Sequence, residues 1–569
     1  MIAETNWPAG NSEGKKSMER SDDLKSWNSY SASEADSVSG LFGTPKKSNS
    51  NSNEKENKNG ENNEEENNDT SLSSKKISNL SISVGEFKNQ IVLGWKKLTG
   101  VVQYEIYYSL EETIDENNLI KINDYVAPKI SEEGENVKAI IPDLYFGKKY
   151  YFAVRAKGDN DTFSLLSEKV EKTTEASSPI LSFKYGDYSY SHKYSFSGPA
   201  LFSNASQLSK FSEEDINYSG YSVVDANNNL YLQGQIQGKQ GIHCFDSSGE
   251  LKWSFEGQGG DPFIGKDGTI YFNNSEYLFA VSPSGVLKWK EKFMRILSRD
   301  PILNSNGDII FLSLNESSKP DLVLVKDLGK GASRETMALA SQLLGDVSLV
   351  GNSELAMNKN GEIYFGLSNR LIKYSGGNVE TKTVLASCSN SYVDTCSNYI
   401  TDIISVIAAD NGNVYALFNN AFIGEYDNFK GIYALSSSNF SGDYLGQLYN
   451  VVLSAVGEEG VYAYTAFSNI FSQQSRIMLF DSSAKIEKWR KEWSDSEKRP
   501  VVFIDSDGVA YIRNGQSIVG YNSKSISDKN SNPNDDIVFQ VNTGEASSNI
   551  SVLEDKVFFV GKNISQILK

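Results

Sequence analysis

Three observations place this chain in the all-β class. Aromatic residues make up 11% of it, with 30 Tyr and 28 Phe, and there are 45 Gly; aromatics suit pleated, half-buried surfaces and glycine suits tight turns. Short alternating apolar segments are bounded by Asn, Asp and Gly. A turn motif also recurs every forty to fifty residues from position 179 to the end. At 569 residues, more than one domain is expected.

Residues 1–76 read as a disordered, acidic tether rich in Asn, Ser, Glu and Lys. The stretch KKSNSNSNEKENKNGENNEEENNDTSLSSKK, Lys46 to Lys76, holds a single large apolar residue, Leu72. It has too little apolar surface to offset the entropy lost on ordering.

Order is expected from Ile77. KISNLSISVG, NQIVLGWKKL, VQYEIYYSL, VKAIIPDL, YYFAVRAKG and SLLSEKVEKTT read as short strands, as in a small sandwich. Alternation is clear in Tyr104-Ile106-Tyr108 and in Tyr150-Phe152-Val154-Ala156. Trp95 lies in IVLGW, and Leu144 stands six residues before Tyr150 in DLYFGKKYYFAVRA. With these residues, 77–174 resembles a fibronectin type III domain. The resemblance implies a tyrosine corner, with the Tyr150 hydroxyl bonded back to the backbone. No Arg-Gly-Asp stands in its loops, so integrin-type binding has no support.

Residues 179–569 carry the repeat. Its copies are VVDANNNLYLQG, PFIGKDGTIYFN, PILNSNGDIIFL, LAMNKNGEIYFG, VIAADNGNVYAL, LSAVGEEGVYAY, VFIDSDGVAYIR and SVLEDKVFFVG. Marked by Gly268, Gly307, Gly361, Gly412, Gly460 and Gly508, the spacings are 39, 54, 51, 48 and 48. That period with β-content predicts a propeller of four-stranded blades. Eight copies favour eight blades, with seven as the alternative. In the second repeat DPFIGKDG is strand A, TIYFNN strand B, YLFAVSPSG strand C and VLKWKEKF strand D. The last copy ends without a D strand, so an N-terminal strand, SPILSFKYGDY, is expected to complete the last blade and close the ring. SRETMALASQLL, Ser333 to Leu344, has the spacing of a short amphipathic helix.

FDSSGELKW, VSPSGVLKW and FDSSAKIEKW repeat a C–D turn followed by Trp253, Trp289 or Trp489. Asp246 is placed to accept local backbone hydrogen bonds, and each Trp to pack on the neighbouring blade. This D-x-x-G-x-x-x-W pattern resembles the repeat of pyrroloquinoline-quinone (PQQ) propellers, the quinoprotein alcohol dehydrogenase-like superfamily, over about 180–569. The dehydrogenases of that family hold the quinone and a metal ion above the funnel, use an aspartate base and often carry adjacent cysteines. The chain has no adjacent cysteines and no match to the metal-binding set, so the reading leans against an enzyme.

Other motifs lead to structure rather than chemistry. GDPFIGKD, Gly260 to Asp267, approaches a phosphate loop, but Asp267 replaces the metal-binding hydroxyl and a strand follows; a hairpin is preferred because equivalent turns recur. DSDG, Asp505 to Gly508, lacks the remainder of a calcium loop. The two histidines, His192 and His243, make a zinc site or a Ser-His-Asp triad improbable. His243 and Cys244 are strand neighbours and point to opposite faces. Cys388 and Cys396 bracket CSNSYVDTC, as either a loop-closing disulfide or two free thiols. No catalytic, cofactor-binding or metal-binding residue is assigned, and no cofactor.

The net charge of −18 argues against nucleic acid as a partner. No apolar run is long enough for a transmembrane helix. The first residues, MIAETNWPAG, show no secretory signal pattern, which leaves a cytoplasmic chain or a mature or truncated exported one. The expected protein is a non-catalytic binding or scaffolding protein of the bacterial envelope, periplasmic, outer-membrane-associated or extracellular. It resembles at fold level the propeller lipoprotein of the outer-membrane barrel assembly machinery, and protein partners are expected. The alternatives are a PQQ-dependent alcohol or sugar dehydrogenase and a glycan-binding adhesin or accessory module.

Overall fold

The computed structural model describes residues 18–20, 27–29, 71–114, 119–179, 209–210, 216–257, 259–298, 300–344, 353–383, 401–420, 429–440, 442, 445–449, 452–468, 473–493, 501–514, 517–522, 537–542, 549–552, 556–560 and 564–568. Almost all regular structure among them is β, in antiparallel sheets; the one α-helix is Ala340–Leu344. None of these helices is long and apolar enough to cross a membrane. His192, Cys388, Cys396, the proposed closing segment 178–188 beyond residue 179, and most of the expected tether lie outside the described residues.

The chain divides into two compact units. The first comprises Met1–Asn79, Leu98–Lys121 and Tyr151–Lys169. Here Gln103–Ser109 pairs antiparallel with Lys149–Lys157, from Gln103↔Lys157 to Ser109↔Tyr151. Ile106, Tyr107, Phe152 and Val154 are buried. Met18–Arg20 pairs with Trp27–Ser29.

The second unit comprises Leu80–Lys97, Ile122–Tyr150 and Val170–Lys569. Its first sheet runs in the order Ser81–Val84, Ile91–Lys96, Asn136–Ile141, Lys129–Glu133. Ile91, Leu93 and Trp95 stand opposite Ile141, Ala139 and Val137. All six are buried, while Lys96, Asn136 and Lys138 on the paired strands are exposed. The period-2 alternation thus sorts one face inward. The expected tyrosine corner is present: the Tyr145 N–H donates to the Tyr150 hydroxyl at 2.9 Å, and Leu144 and Tyr150 are fully buried.

From residue 209 onward eight further sheets occur among the described residues. The first is Ile216–Val224, Leu230–Ile236, Lys239–Phe245, Leu251–Glu256, and the second Phe263–Ile264, Ile270–Asn273, Tyr277–Val281, Leu287–Lys292. Both follow the order expected of a repeat, each strand pairing with the next. The last sheet is completed out of sequence: Ser209–Lys210 pairs with Ile564–Leu568. The N-terminal strand described at that place is therefore at 209–210.

The third sheet corrects the expected helix over Ser333–Leu344. Ala332–Ala338 is a strand on Pro320–Asp327, and only Ala340–Leu344 is helical. The neighbouring strand offers backbone partners from Asp327 back to Leu322, and those outweigh a helical spacing carried by three apolar residues. The same sheet has a divided first strand, Arg295–Ile296 and Ile302–Leu303, both on Ile309–Leu314.

Candidate functional site

Four of the turns between the first and second strands of the repeats are each built around one side-chain oxygen. Asp225 Oδ1 accepts from the N–H groups of Asn227 and Asn229 at 2.8 and 2.9 Å. Asn304, Asn358 and Asp505 do the same at 2.8–3.0 Å, as Asx turns require. Gly268, Gly307, Gly361, Gly412 and Gly508 take positive φ in these turns, which glycine adopts without steric cost. GDPFIGKD is such a hairpin: Gly268 N–H donates to Gly265 O at 3.0 Å and Thr269 N–H to Asp267 Oδ1 at 3.1 Å. DSDG is another, with Asp505 fully buried.

The turns before the tryptophans use the same device. Asp246 Oδ1 accepts from Ser248 N–H, Ser248 Oγ and Glu250 N–H at 2.9, 2.6 and 3.1 Å. Burial would raise the Asp246 pKa, but these donors outweigh it and hold the carboxyl below its ordinary value. In the third copy Ala484 stands at φ 53° where glycine stands in the others.

Each Trp then does what its position suggests. Trp253 Nε1 donates to Pro283 O of the following sheet at 3.0 Å, and its ring lies where a Cβ on Gly285 would be, 2.6 Å away. The Trp489 ring meets Tyr521 of the next sheet at 5.3 Å between centroids.

The lysine before each Trp carries information that alternation conceals. The strand register shifts between the partners of Leu251 and Trp253, Leu287 and Trp289, and Glu487 and Trp489. Lys252, Lys288 and Lys488 are the extra residues of three β-bulges, which re-aim a side chain. Lys252 Nζ meets Asp143 at 2.5 Å, Lys288 Nζ meets Asp327 at 2.6 Å, and Lys488 Nζ donates to Glu459 O at 2.7 Å.

A second repeated element is the Tyr of the second strand. Tyr231 and Tyr511 donate to Asp225 and Asp505 of their own turns at 2.9 and 3.2 Å. Tyr364 donates to Glu362 at 2.8 Å. Tyr271 and Tyr415 reach instead to the following sheet, to Asp327 Oδ2 at 2.8 Å and Ser482 O at 2.7 Å. Burial raises the pKa of Tyr231, Tyr271, Tyr364 and Tyr511, and the adjoining carboxylates raise it further, so each hydroxyl remains a donor.

The loop of the tyrosine corner and the loops at Asn89 and Tyr125 are seated on these turns. Phe146 N–H donates to Asp267 O at 2.9 Å, Ser284 Oγ to Tyr125 O at 2.8 Å, and Asn227 Nδ2 to Asn89 Oδ1 at 2.5 Å. A Cβ on Gly268 would lie 2.7 Å from the Phe146 ring. The turn glycine thus lets the aromatic ring approach.

His243 is buried, with Nδ1 against Ser254 Oγ at 2.8 Å and Nε2 against Gly234 O at 3.1 Å. Cys244 is a buried free thiol whose pKa burial pushes well up, away from nucleophilic use. Among the described residues no cluster of three or more His, Cys, Asp or Glu has a metal-holding arrangement.

A recess of about 370 Å³ opens between the second and third sheets, lined by Gly259, Gly260, Asn273, Asn274, Ser275, Ile296, Leu297 and Ser298. Its wall is the divided strand of the third sheet. There Leu297 and Ser298 N–H both point to Leu312 O at 2.8 and 3.4 Å, while Leu312 N–H donates to Ser298 Oγ at 2.9 Å. Asn273 Nδ2 donates to Ser298 O at 3.3 Å; its Oδ1 is buried and accepts no hydrogen bond. In the sequence, Asn273-Asn274-Ser275 reads only as an Asn-x-Ser sequon, uninformative in a chain so rich in Asn and Ser.

No protein-family model matches the chain, and no curated protein matches it. Among solved structures, the β-propeller domain of Nup133 from Vanderwaltozyma polyspora is similar at 9% identity and a TM-score of 0.31, covering 64% of this chain and 100% of that one. A gluconolactonase from Xanthomonas campestris is similar at 11% identity and a TM-score of 0.26, covering 48% and 89%. The extracellular domain of a proposed one-component system from B. thetaiotaomicron is similar at 11% identity and a TM-score of 0.18, covering 86% and 75%.

Proposed function

We propose that the chain is a non-catalytic binding and scaffolding protein of the bacterial cell envelope or surface. In this reading 1–76 is a tether, 77–174 a fibronectin type III module, and 179–569 an eight-bladed propeller of PQQ-like repeats closed by an N-terminal strand. Partner proteins bind the module and the face loops of the propeller.

The observation that carries the reading is the use made of the repeated polar side chains. The repeated carboxylates, tyrosines and lysines among the described residues are engaged in turns, in tyrosine bonds and in bulged lysine pairs. Asp225 alone accepts from two backbone N–H groups, Asn229 Nδ2 and Tyr231 Oη. Such side chains hold a frame, and binding then falls to the loops that the frame presents. The seating of the 143–148 corner on the turns of the first two sheets supports a scaffold that presents both modules together.

The test is photo-crosslinking in the native cell with probes placed in the face loops, with fractionation in parallel. A defined protein partner, lost when the loop is replaced, and recovery in the envelope fraction are expected. Oxidation of an alcohol or sugar by the purified chain supplied with PQQ and calcium would overturn the proposal in favour of a dehydrogenase.

A further inference from the structure

We infer that the edge strand Lys129–Glu133 pairs antiparallel with the same strand of a second copy of this chain. The inference goes beyond the scaffold reading and does not depend on it.

Among the described residues this strand is the last of its sheet and pairs on one side only, with Asn136–Ile141. All five of its residues are exposed. Its other side offers unpaired backbone N–H and C=O groups, a template for a further strand. Edges are commonly blunted by charge. Here the charges are mixed, and KISEE carries a cation at one end and an anion at the other. The neighbouring Glu132 and Glu135 meet Lys97 and Lys96. Lys129 and Glu133 make no ion pair among the described residues. Such an edge repels most strands and selects one that carries the reverse order of charge.

The strand itself, run antiparallel, has that order, and two-fold symmetry fixes the register. In an antiparallel pair of identical strands the axis stands perpendicular to the sheet and passes where one residue faces its own copy. With Ser131 on the axis, Lys129 lies opposite Glu133 of the second copy, and Glu133 opposite its Lys129. Both unlike pairs fall on one face of the sheet, because Lys129, Ser131 and Glu133 alternate with Ile130 and Glu132. On the other face Ile130, 40% exposed, lies diagonal to Ile130 of the second copy, within reach of a long side chain. Placing Lys129, Glu132 or Glu133 on the axis sets a charge against itself. Placing Ile130 there leaves Lys129 opposite Ser131 and brings in Pro128, which has no N–H to give. A pairing of five residues is a small interface, so the association is weak and depends on concentration.

Sedimentation equilibrium of the full chain, at up to about 0.3 mM so that a weak interface registers, tests the pairing. The parent should show a monomer–dimer equilibrium. Lys129→Glu and Glu133→Lys, both changes at exposed positions, each set like charges at both ends of the pairing. Each should weaken association by about tenfold. An equimolar mixture of the two variants restores both unlike pairs and should associate as the parent does. The double variant Lys129→Glu, Glu133→Lys should do the same, which separates lost pairing from lost folding. Glu133→Lys is the sharper single change. It reduces the magnitude of the net charge of −18, so a general charge effect would make that variant associate more strongly. A parent that stays monomeric over the whole range would overturn the inference. So would a Glu133→Lys chain that associates as well as the parent, or a mixture no tighter than either variant alone.

Discussion

Lys288 and Asp327 form a nearly buried ion pair between successive sheets, with Nζ and Oδ2 2.6 Å apart and side chains 9% and 11% exposed. Tyr271 donates to the same Oδ2 at 2.8 Å. Two residues of the second sheet therefore converge on one carboxylate of the third. Asp327→Asn leaves the ammonium only the more distant Asp267, 3.9 Å away, as counter-charge and should destabilise the fold by about 3 kcal/mol. The double variant Lys288→Met, Asp327→Leu should recover much of that loss. Urea midpoints check both, and a double variant less stable than Asp327→Asn would contradict the account.

Gly285 and Gly307 separate backbone strain from packing. They take φ of +86° and +87°; a Cβ on Gly285 would meet Trp253, whereas nothing lies within 4 Å of one on Gly307. Gly307→Ala should cost about 1 kcal/mol for the positive φ alone. Gly285→Ala should cost a further 1–3 kcal/mol, roughly the range for overpacking. Equal urea midpoints for the two variants would show that the tryptophan yields.

Gly268→Ala should act where the corner is seated. The added methyl would press on the Phe146 ring, whereas Gly361, at φ +78°, has nothing within 4 Å. Limited proteolysis of Gly268→Ala should cut the 175–179 segment several-fold faster than in the parent, while Gly361→Ala should match the parent there. Equal cleavage of both variants would show that the corner is not held by this contact.

Acid should destabilise the chain in a defined window. Burial would raise the pKa of Asp327, Glu362 and Asp481, but Lys288, Lys373 and the Ile486 N–H respectively lead the groups that outweigh it, so all three lie below their ordinary values of 3.8, 4.5 and 3.8. Such groups bind fewer protons in the folded state than in the unfolded one. Stability is then complete above the ordinary values and is lost as pH falls through the folded ones. Asp225, raised by burial, opposes this, one group against these three and the similarly lowered Asp246 and Glu105. Urea midpoints should fall steadily from about pH 5 to pH 3, and a flat profile would contradict these assignments.

Asp225→Ala should cost more than Asp246→Ala. The first strands two buried side-chain donors, Asn229 Nδ2 and Tyr231 Oη, at roughly 1–3 kcal/mol each. The second exposes its N–H donors to water and should cost about 1 kcal/mol. Thermal melts order the two, and the reverse order would refute the claim that Asp225 anchors a buried network.

Much of this frame was legible because it is periodic. Turn glycines, Asx oxygens and the three tryptophans recur at fixed offsets, and the Leu144–Tyr150 spacing announced its corner. The bulged lysines were not legible. In L-K-W alternation reads an outward lysine, and a one-residue bulge reverses that without any mark in the sequence. Asp327 is 39 residues from Lys288, so no local pattern joins them. The strand at Ala332–Ala338 was hidden by a coincidence of spacing at Met337, Ala340 and Leu344. Asn273 stood in an Asn-x-Ser sequon that carried no signal, because a buried acceptor without a donor is a property of what surrounds it.

The pairing of Ser209–Lys210 with Ile564–Leu568 gives the molecule a fixed order of assembly. Those partners are roughly 350 residues apart, and closing so long a loop is slow compared with pairing neighbours. The sheets between them can form while the ribosome is still at work. The last cannot be completed before them, because its outer edge is made early and its partner follows all of the others in the chain. Until these two segments meet, an unpaired edge at 564–568 or 209–210 is open to another chain, so mispairing is most dangerous before this last contact forms.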